Sequence, residues 1–406
     1  GHVTANSYDA LNRLKEVAEP LLDGQPTPGK VGYGYDPQDN LAAVTDQRNL
    51  TTTYGYNGFN ELVRLASPDT GVTNYTLDAA GNIRQMTDAR GVTVNYTFDA
   101  MNRVKTIGYP SVTVNAGLTL PAETLSFTYG EEAGAPAEST NAKGRLAKIV
   151  DGSGSTTYGY DLQGRVAKKS QVVTLPAGGS RALSLQYSYN AAGQMQSLTT
   201  ASGQVIGYGY QNNQIVSITV NGVPVVSGAT YFPFGEVKGW TWGTNGSGSQ
   251  YQRGFDADGR VTTLTIPGVT GATAPFATTA MTRTLGFDDA SRITAITDTI
   301  AGANQAAMVV GYDNLDRLTS AVLSGNAANN STFSVAYGYD LIGNRVSQSV
   351  ANAGAPAQAS TLAYASASNQ LASITPAGGA AQVITHDAVG IPSGRNVTRL
   401  ADLSSV

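Results

Sequence analysis

Paired acidic residues are the sequence's most visible candidates for catalysis. Asp288 and Asp289 are adjacent, and Asp256 and Asp258 lie two residues apart. Acid–base chemistry needs two carboxyl groups held close together, so these pairs are where we look first. Both pairs fall in short segments rich in turn-forming residues, where Asp has a structural role. We therefore predict no catalytic residue and a protein that is not an enzyme.

Metal sites have little support in the residue types present. Asp36, Asp39 and Asn40 form the densest group of oxygen ligands of the kind that calcium prefers. The nonapeptide calcium repeat is absent, and these residues also lie in a turn segment. The chain has no cysteine and only two histidines, His2 and His386, which disfavours thiolate and imidazole sites. We predict no metal and no cofactor.

Aromatic residues offer a candidate binding surface. Trp240 and Trp242 share one face of a predicted strand and could stack on a sugar or on a partner. Tyrosines spaced two apart, such as Tyr33 and Tyr35, could do the same. The same spacing suits cross-strand packing within a sheet, which we favour. Trp240 and Trp242 are kept as candidates for binding.

Composition excludes several classes of partner. The chain has 406 residues, 25 basic and 29 acidic, with a formal net charge of −4 and only 13% charged residues. No stretch gathers Lys and Arg into a stripe, so we predict neither nucleic-acid binding nor a polybasic membrane contact. No apolar run approaches the length of a membrane span, and no signal peptide opens the sequence. The sequence begins inside a repeated pattern, so we expect a piece of a longer protein.

One repeated pattern dominates the chain. It reads aromatic, Asp or Asn, two free positions, Gly or Asn, a polar residue and an aliphatic residue. Twelve clear copies run from Tyr8 to Gly390, with weaker traces at residues 141–146, 210–215 and 364–371. The residues to which we assign the structural role in these turns include Tyr8, Asp9, Tyr35, Asp36, Asp78, Gly81, Asp99, Tyr160, Asp161, Gly164, Asp256, Gly259, Asp313, Tyr339, Asp340 and Gly343.

Physically, the pattern describes a hairpin turn. The Asp side chain can accept hydrogen bonds from backbone N–H groups ahead of it, and Gly or Asn tolerates the positive φ that such a turn needs. The flanking residues alternate apolar and polar, as at Val92, Val94 and Tyr96, which indicates half-buried strands. Each repeat thus predicts strand, Asp turn, strand and a second turn.

Some second turns are longer than others. Residues 112–122, 172–181 and 267–280 predict enlarged turns or longer hairpins. No linker divides the chain, so we predict a single repeat array over residues 1–406. Its fold class is all-β, a continuous array of antiparallel β-hairpins, and its exposed strand edges make self-association an expectation.

The repeated pattern resembles the YD repeats of the RHS (rearrangement hot spot) family over nearly the whole chain. A second segment, Tyr231–Gly246, resembles the Pro-Phe-Gly…Trp-x-Trp-Gly-Asn-Gly stretch of proteobacterial members, although Thr244 interrupts its end. The resemblance implies a sheet that curves into a spiral shell, of which this chain would be a segment. In bacterial members the shell encloses a C-terminal toxin domain, and animal teneurins use a related shell for adhesion.

The resemblance sets the functional expectations. The chain is expected to be a structural shell segment that shields a toxin for delivery, secreted or presented at the surface of a bacterium. Its expected partners are the missing N- and C-terminal parts of the same shell, the enclosed toxin and secretion machinery. The alternative is a secreted or surface repeat protein that binds carbohydrate or another cell. The Asp-Pro-x-Gly motif at which such shells cleave themselves is absent, since Asp36-Pro37 is followed by Gln38-Asp39-Asn40, with Asp39 in place of the glycine.

Overall fold

Every regular element that the structure describes is a β-strand. The computed structural model describes residues 3–22, 25–114, 118–233, 235–243, 250–268, 280–300, 303–325 and 332–395. Within these residues there are 34 strands and no helix, and thus no helix long and apolar enough to cross a membrane. The all-β prediction is confirmed.

The first half of the chain contains strands β1–β17. Their bounds are β1 Ala5–Tyr8, β2 Leu14–Ala18, β3 Lys30–Tyr35, β4 Leu41–Thr45, β5 Thr51–Tyr56, β6 Leu62–Ser67, β7 Gly71–Leu77, β8 Ile83–Thr87, β9 Thr93–Phe98, β10 Val104–Tyr109, β11 Val112–Val114, β12 Leu118–Leu120, β13 Glu123–Tyr129, β14 Leu146–Asp151, β15 Gly154–Tyr160, β16 Val166–Thr174 and β17 Ser180–Tyr189.

The second half contains strands β18–β34. Their bounds are β18 Met195–Thr199, β19 Val205–Gln211, β20 Gln214–Val220, β21 Val223–Tyr231, β22 Val237–Trp242, β23 Gln250–Phe255, β24 Val261–Ile266, β25 Met281–Phe287, β26 Ile293–Ile300, β27 Ala303–Tyr312, β28 Leu318–Gly325, β29 Phe333–Tyr339, β30 Arg345–Asn352, β31 Gln358–Tyr364, β32 Leu371–Pro376, β33 Gln382–His386 and β34 Pro392–Arg395.

The strands pair with their neighbours in the chain. Thirty-two belong to one sheet, and β11 and β12 form a separate two-stranded sheet. In every pair whose register is described, consecutive strands run antiparallel, as expected for hairpins joined by short turns. Two compact units can be distinguished, residues 1–96 with 109–122 and 308–406, and residues 97–108 with 123–307.

A register shift precedes the repeat aromatic in each repeat hairpin whose register is described. Gly55 pairs with Arg64, whereas the next residue, Tyr56, pairs with Leu62, so one extra residue of β6 is bulged out. This follows from the turn, because a left-handed residue closing a type I turn leaves such a bulge. A Cβ on Gly55 would lie 3.4 Å from the Cβ of Arg64, so the small residue before the aromatic allows the strands to approach closely.

The sheet has almost no enclosed core. Among the described residues, no large side chain is fully buried. The buried apolar residues are Val94, Ala142, Ala147, Ala321, Val335 and Leu362. One face carries aromatic and aliphatic side chains, such as Tyr54 opposite Leu65, and the other carries small polar ones. Stability must therefore come mainly from contacts between successive hairpins rather than from one central core.

The segments predicted as enlarged turns differ in structure. Residues 112–122 form the separate β11–β12 hairpin. Residues 172–181 extend β16 and β17 into strands of nine and ten residues, joined by a short turn. Residues 267–280 lie mostly outside the described residues, as do Phe234 and residues 244–246 of the segment Tyr231–Gly246.

Two glycines in equivalent turns allow a test of the backbone conformation. Gly343 has φ of 93° with open space where a Cβ would project, whereas Gly58 has an equally open site without a positive φ. We expect Gly343→Ala to lower the free energy of unfolding by about 1 kcal/mol, because an alanine resists positive φ. Gly58→Ala should leave it unchanged or raise it slightly. Urea unfolding followed by circular dichroism measures both, and equal effects would contradict the turn geometry.

Candidate functional site: the repeat turns and a polar seam

Every clear copy of the repeat folds into the same turn. Counting the Asp or Asn as position 1, its Oδ1 accepts hydrogen bonds from the backbone N–H groups of positions 3 and 5, at 2.8–3.2 Å. Position 4 has positive φ, from 59° at Asn102 to 93° at Gly343. Position 1 is occupied by Asp9, Asp36, Asn57, Asp78, Asp99, Asp161, Asn190, Asp256, Asp288, Asp313, Asp340 and Asp387.

The polar residue at position 5 is matched to the residue at position 1. Where position 1 is Asp and position 5 is Arg or Asn, the Asp Oδ2 accepts a hydrogen bond from that residue, as from Arg165 Nε to Asp161 at 2.7 Å. Where position 1 is Asn, position 5 is an acceptor, as for Asn57 Nδ2 donating to Glu61 at 2.7 Å. The sequence analysis did not predict this pairing. The sequence does contain a signal for it, because position 5 changes from Arg to Glu where position 1 changes from Asp to Asn.

In many of the hairpins, the hydroxyl of the repeat tyrosine joins the hairpin to the preceding one. Tyr35 Oη donates to the backbone carbonyl of Leu14 at 2.9 Å, and Leu14 follows the turn of the previous repeat. Tyr339 makes the same bond to Leu318 at 2.8 Å. Further pairs are Tyr56–Leu41, Tyr129–Val104, Tyr160–Leu146, Tyr189–Val166, Tyr210–Met195, Tyr231–Ile215 and Tyr364–Arg345.

The arginine at position 5 strengthens the same junction. The Arg317 guanidinium lies 4.8 Å from the ring centre of Tyr339 in the next repeat while its Nε is bonded to Asp313. The guanidinium is thus held by one turn and stacks on the aromatic ring of the following hairpin. Arg13 on Tyr35, Arg103 on Tyr129, Arg165 on Tyr189 and Arg260 on Phe287 repeat the arrangement.

The turn hydrogen bonds favour charged carboxylates. Desolvation opposes ionisation of Asp256, but hydrogen bonds from Arg260 outweigh it and hold the pKa of Asp256 below its usual value. For Asp9, the backbone N–H of Arg13 is the main cause of a lowered pKa. These carboxylates are therefore acceptors committed to the turn, not proton donors near neutral pH.

The acidic pairs considered for chemistry do not assemble into a site. Asp288 and Asp256 occupy position 1 of their turns, whereas Asp258 is 72% exposed and contacts Arg260 at 3.2 Å. Asp39 lies at position 4 with φ of 67° and pairs with Arg13. Among the described residues, no three His, Cys, Asp or Glu side chains are grouped as metal ligands.

The two tryptophans pack within the sheet. Trp240 on β22 stacks against Tyr251 on β23, with ring centres 4.0 Å apart, and meets Trp242 edge-on at 5.4 Å. These are cross-strand and same-strand contacts of the kind expected for ladder packing. Trp242 is 41% exposed, so it offers the more accessible ring of the two.

A polar seam joins residues far apart in sequence within the first compact unit. We use this name for the contacts of second turns in residues 21–90 with repeat turns in residues 314–390. At its centre Asn369 Nδ2 donates to Asp46 Oδ2 at 2.8 Å, and the Asn369 backbone N–H donates to Asp69 Oδ1 at 2.5 Å. Arg48 donates to Asn369 Oδ1 at 2.8 Å and to the carbonyl of Ala365 at 2.8 Å.

The seam extends to both sides of this centre. Asn314 Nδ2 donates to the carbonyl of Leu21 at 3.2 Å, and Arg90 pairs with Asp387 at 3.4 Å. A Cβ on Gly390 would lie 2.5 Å from the backbone oxygen of Asp69, so only glycine fits there. The weak repeat trace at residues 364–371 thus departs from the pattern where its residues contact other turns.

The tyrosine junction predicts a specific loss on removing one hydroxyl. Tyr339→Phe should lower the free energy of unfolding by about 1 kcal/mol, the usual contribution of such a hydrogen bond. Tyr8→Phe is the matched control, because the Tyr8 hydroxyl has no hydrogen-bond partner among the described residues and the residue is 55% exposed. Urea unfolding midpoints compare the two, and equal shifts would rule out the junction.

The lowered carboxylate pKa values predict acid sensitivity. A group with a lower pKa in the folded chain stabilises it at neutral pH, and this contribution is lost as the pH falls below about 4. Asp256→Asn should therefore reduce stability at pH 7 and make the loss between about pH 5 and 2 smaller than in wild type. Asp258→Asn, in the same turn, should change neither. Thermal unfolding over this pH range tests the difference.

The seam predicts that one amide holds two distant segments. Asn369→Ala should lower the free energy of unfolding by about 2 kcal/mol, because Asp46, Asp69 and Arg48 lose a shared partner. It should also open residues 46–50 to limited proteolysis, although these lie more than 300 residues away. Ser366→Ala, an exposed position in the same loop, should do neither. Protection of residues 46–50 in both variants would contradict the seam.

Comparisons with known proteins agree with this geometry. The RHS Repeat family model matches residues 35–72, 78–111 and 141–180. No curated protein matches the chain. Among solved structures, TcdB2-TccC3 without its hypervariable C-terminal region has a TM-score of 0.74 at 14% identity, covering 91% of this chain and 20% of that chain.

Two further structures give the same result. TcdB2-TccC3-TEV has a TM-score of 0.75 at 16% identity, covering 95% of this chain and 21% of that one. The Photorhabdus luminescens Tc holotoxin pore with the mutation TccC3-D651A has a TM-score of 0.74 at 14% identity, covering 95% and 20%. This chain therefore spans about a fifth of the length of these relatives. The chain therefore contains segments that match the RHS Repeat family model, and its long antiparallel sheet has the fold of these solved structures.

Proposed function

We propose that this chain is a structural segment of a bacterial RHS-type shell that encloses and shields a C-terminal toxin domain for delivery. The observation that carries the proposal is the fold similarity to TcdB2-TccC3 over 91% of the chain. One of those related structures lacks a hypervariable C-terminal region, and another is a holotoxin pore. In this proposal residues 1–406 form one continuous array, joined to further shell segments at both ends, and the protein is secreted or displayed by a bacterium.

The proposed role is structural and not catalytic. The carboxylates at position 1 of the repeat turns accept backbone hydrogen bonds and are not directed at a shared cleft. The seam adds contacts between residues about 300 positions apart, a useful property for a wall that must stay closed. An enclosed toxin and a secretion apparatus are the partners that this role requires.

Adhesion is the alternative, with carbohydrate or another cell as the ligand. Its support is the exposed ring of Trp242, since the neighbouring Trp240 is stacked against Tyr251. Trp242→Ala would abolish binding to a glycan array if the chain were an adhesin of this kind. We expect the chain to bind no glycan, and saturable binding that depends on Trp242 would favour adhesion.

Protease protection in the full-length protein tests the shell proposal. The sequence beyond Val406 should continue into shell repeats and end in an unrelated domain. That domain should resist proteolysis within the intact protein and be digested when it is produced alone. Equal digestion in both forms, or repeats that lead into a wall or membrane anchor, would contradict enclosure.

A further inference from the structure

One repeat turn is replaced by a much longer segment. Between β13 and β14 the chain runs through residues 130–145, whereas a standard repeat turn such as 161–165 has five residues. A hydrogen bond from the Gly130 N–H to the carbonyl of Arg145, at 3.0 Å, closes the base of this segment. We call residues 130–145 the strap.

The strap lies across the polar face of the hairpin β14–β15. A Cβ on Gly159 would lie 2.7 Å from the backbone oxygen of Glu138, so the strap passes directly over this glycine. On the same strand, Thr157 is only 7% exposed, and Ala147 on β14 is fully buried. These residues are among the few buried ones in the described chain, so the strap covers a surface that the other repeat turns leave open.

The second half of the strap, residues 139–145, is bonded to backbone atoms. The Tyr160 N–H donates to the carbonyl of Thr140 at 2.8 Å, and Asn141 Nδ2 donates to the carbonyl of Tyr160 at 2.9 Å. Ala142 is 3% exposed, so this half also buries an apolar side chain. We call residues 139–145 the anchored half.

The first half, residues 131–138, is held by three carboxylates, and we call it the charged half. Its ion pairs are Glu131 with Arg103 at 2.5 Å, Glu132 with Lys105, and Glu138 with Lys168 at 2.9 Å. Apart from turn bonds with adjoining residues, every hydrogen bond that joins this half to other described residues uses one of these carboxylates. The remaining side chains are Ala, Gly and Pro, and none of them is buried.

The cations that hold the charged half belong to different hairpins. Arg103 and Lys105 lie in the hairpin before the strap, and Lys168 lies on β16, after it. Asp99 shares Arg103 with Glu131, and Lys148 adds positive charge near Glu138. The six paired side chains are 19–41% exposed, so salt can screen them. At 1 M salt the screening length is about 3 Å, comparable to the ion-pair distances.

We propose that the charged half of the strap is a latch held closed by its three ion pairs, which opens about the anchored half when these charges are screened or neutralised. The hairpins beneath stay paired, because their backbone hydrogen bonds do not involve the latch. Opening exposes few apolar atoms, since the side chains released are Ala, Gly and Pro. The proposal concerns residues of this chain alone and does not depend on an enclosed toxin.

Distances between spin labels test the latch in the folded chain. The chain has no cysteine, so Ala133→Cys on the latch and Gln171→Cys on β16 provide two label sites at exposed residues. At neutral pH and low salt, double electron–electron resonance should give one narrow distance distribution. Replacing Glu131, Glu132 and Glu138 together by Gln should broaden the distribution and shift it to longer distances. Addition of 1 M NaCl should do the same to wild type and change the triple variant little.

Two controls separate latch opening from loosening of the array. Glu16→Gln removes the exposed ion pair of Glu16 with Lys30 and should leave the Ala133–Gln171 distance unchanged. Labels at Gln163 and Gln171, both outside the strap, should keep their distance in the triple variant. A broad distribution in wild type at low salt, a narrow one in the triple variant, or equal broadening of the Gln163–Gln171 distance would each overturn the proposal.

Discussion

Two hydrogen bonds to one side-chain oxygen recur in every clear repeat, and the hairpin array is arranged around them. The carboxylate or amide at position 1 accepts from two backbone N–H groups that a five-residue turn would otherwise leave unsatisfied. This fixes a left-handed residue at position 4 and a bulge in the following strand. The bulge in turn sets the register that places each repeat aromatic beside the preceding turn.

A sheet with almost no enclosed core among its described residues needs strong coupling between neighbouring hairpins. The Asp–Arg–aromatic chain provides it, because the same guanidinium is bonded within one turn and stacked on the next hairpin. Much of the chain's small number of charges lies in these turns, where the charges serve as hydrogen-bond partners. The seam then adds contacts of very long sequence separation, which a purely linear repeat array lacks.

The turn conformation could be predicted from the sequence because it depends only on residues close together in the chain. Asp161 and Gly164 stand at fixed spacing, and their chemistry alone implies the geometry. The Tyr160 hydroxyl bond to Leu146 could not be predicted, since it depends on the bulge and on the stacking of whole hairpins. The seam could not be predicted either, because Arg48 and Asn369 are 321 residues apart and the sequence around one residue does not indicate a contact with the other. The only signal in the sequence was that residues 364–371 depart from the repeat pattern. Gradual loss of the pattern by mutation explains that departure equally well.

Amide hydrogen exchange on the wild-type chain tests most directly the central claim, that turn hydrogen bonds and the seam hold together a sheet with almost no enclosed core. If they do, the backbone N–H groups of turn positions 3 and 5 should exchange slowly, at rates comparable to those in the strand interiors. Residues 46–50 and 365–371 should also be protected together. Rapid exchange at these turn positions, with protection confined to the strands, would contradict the claim.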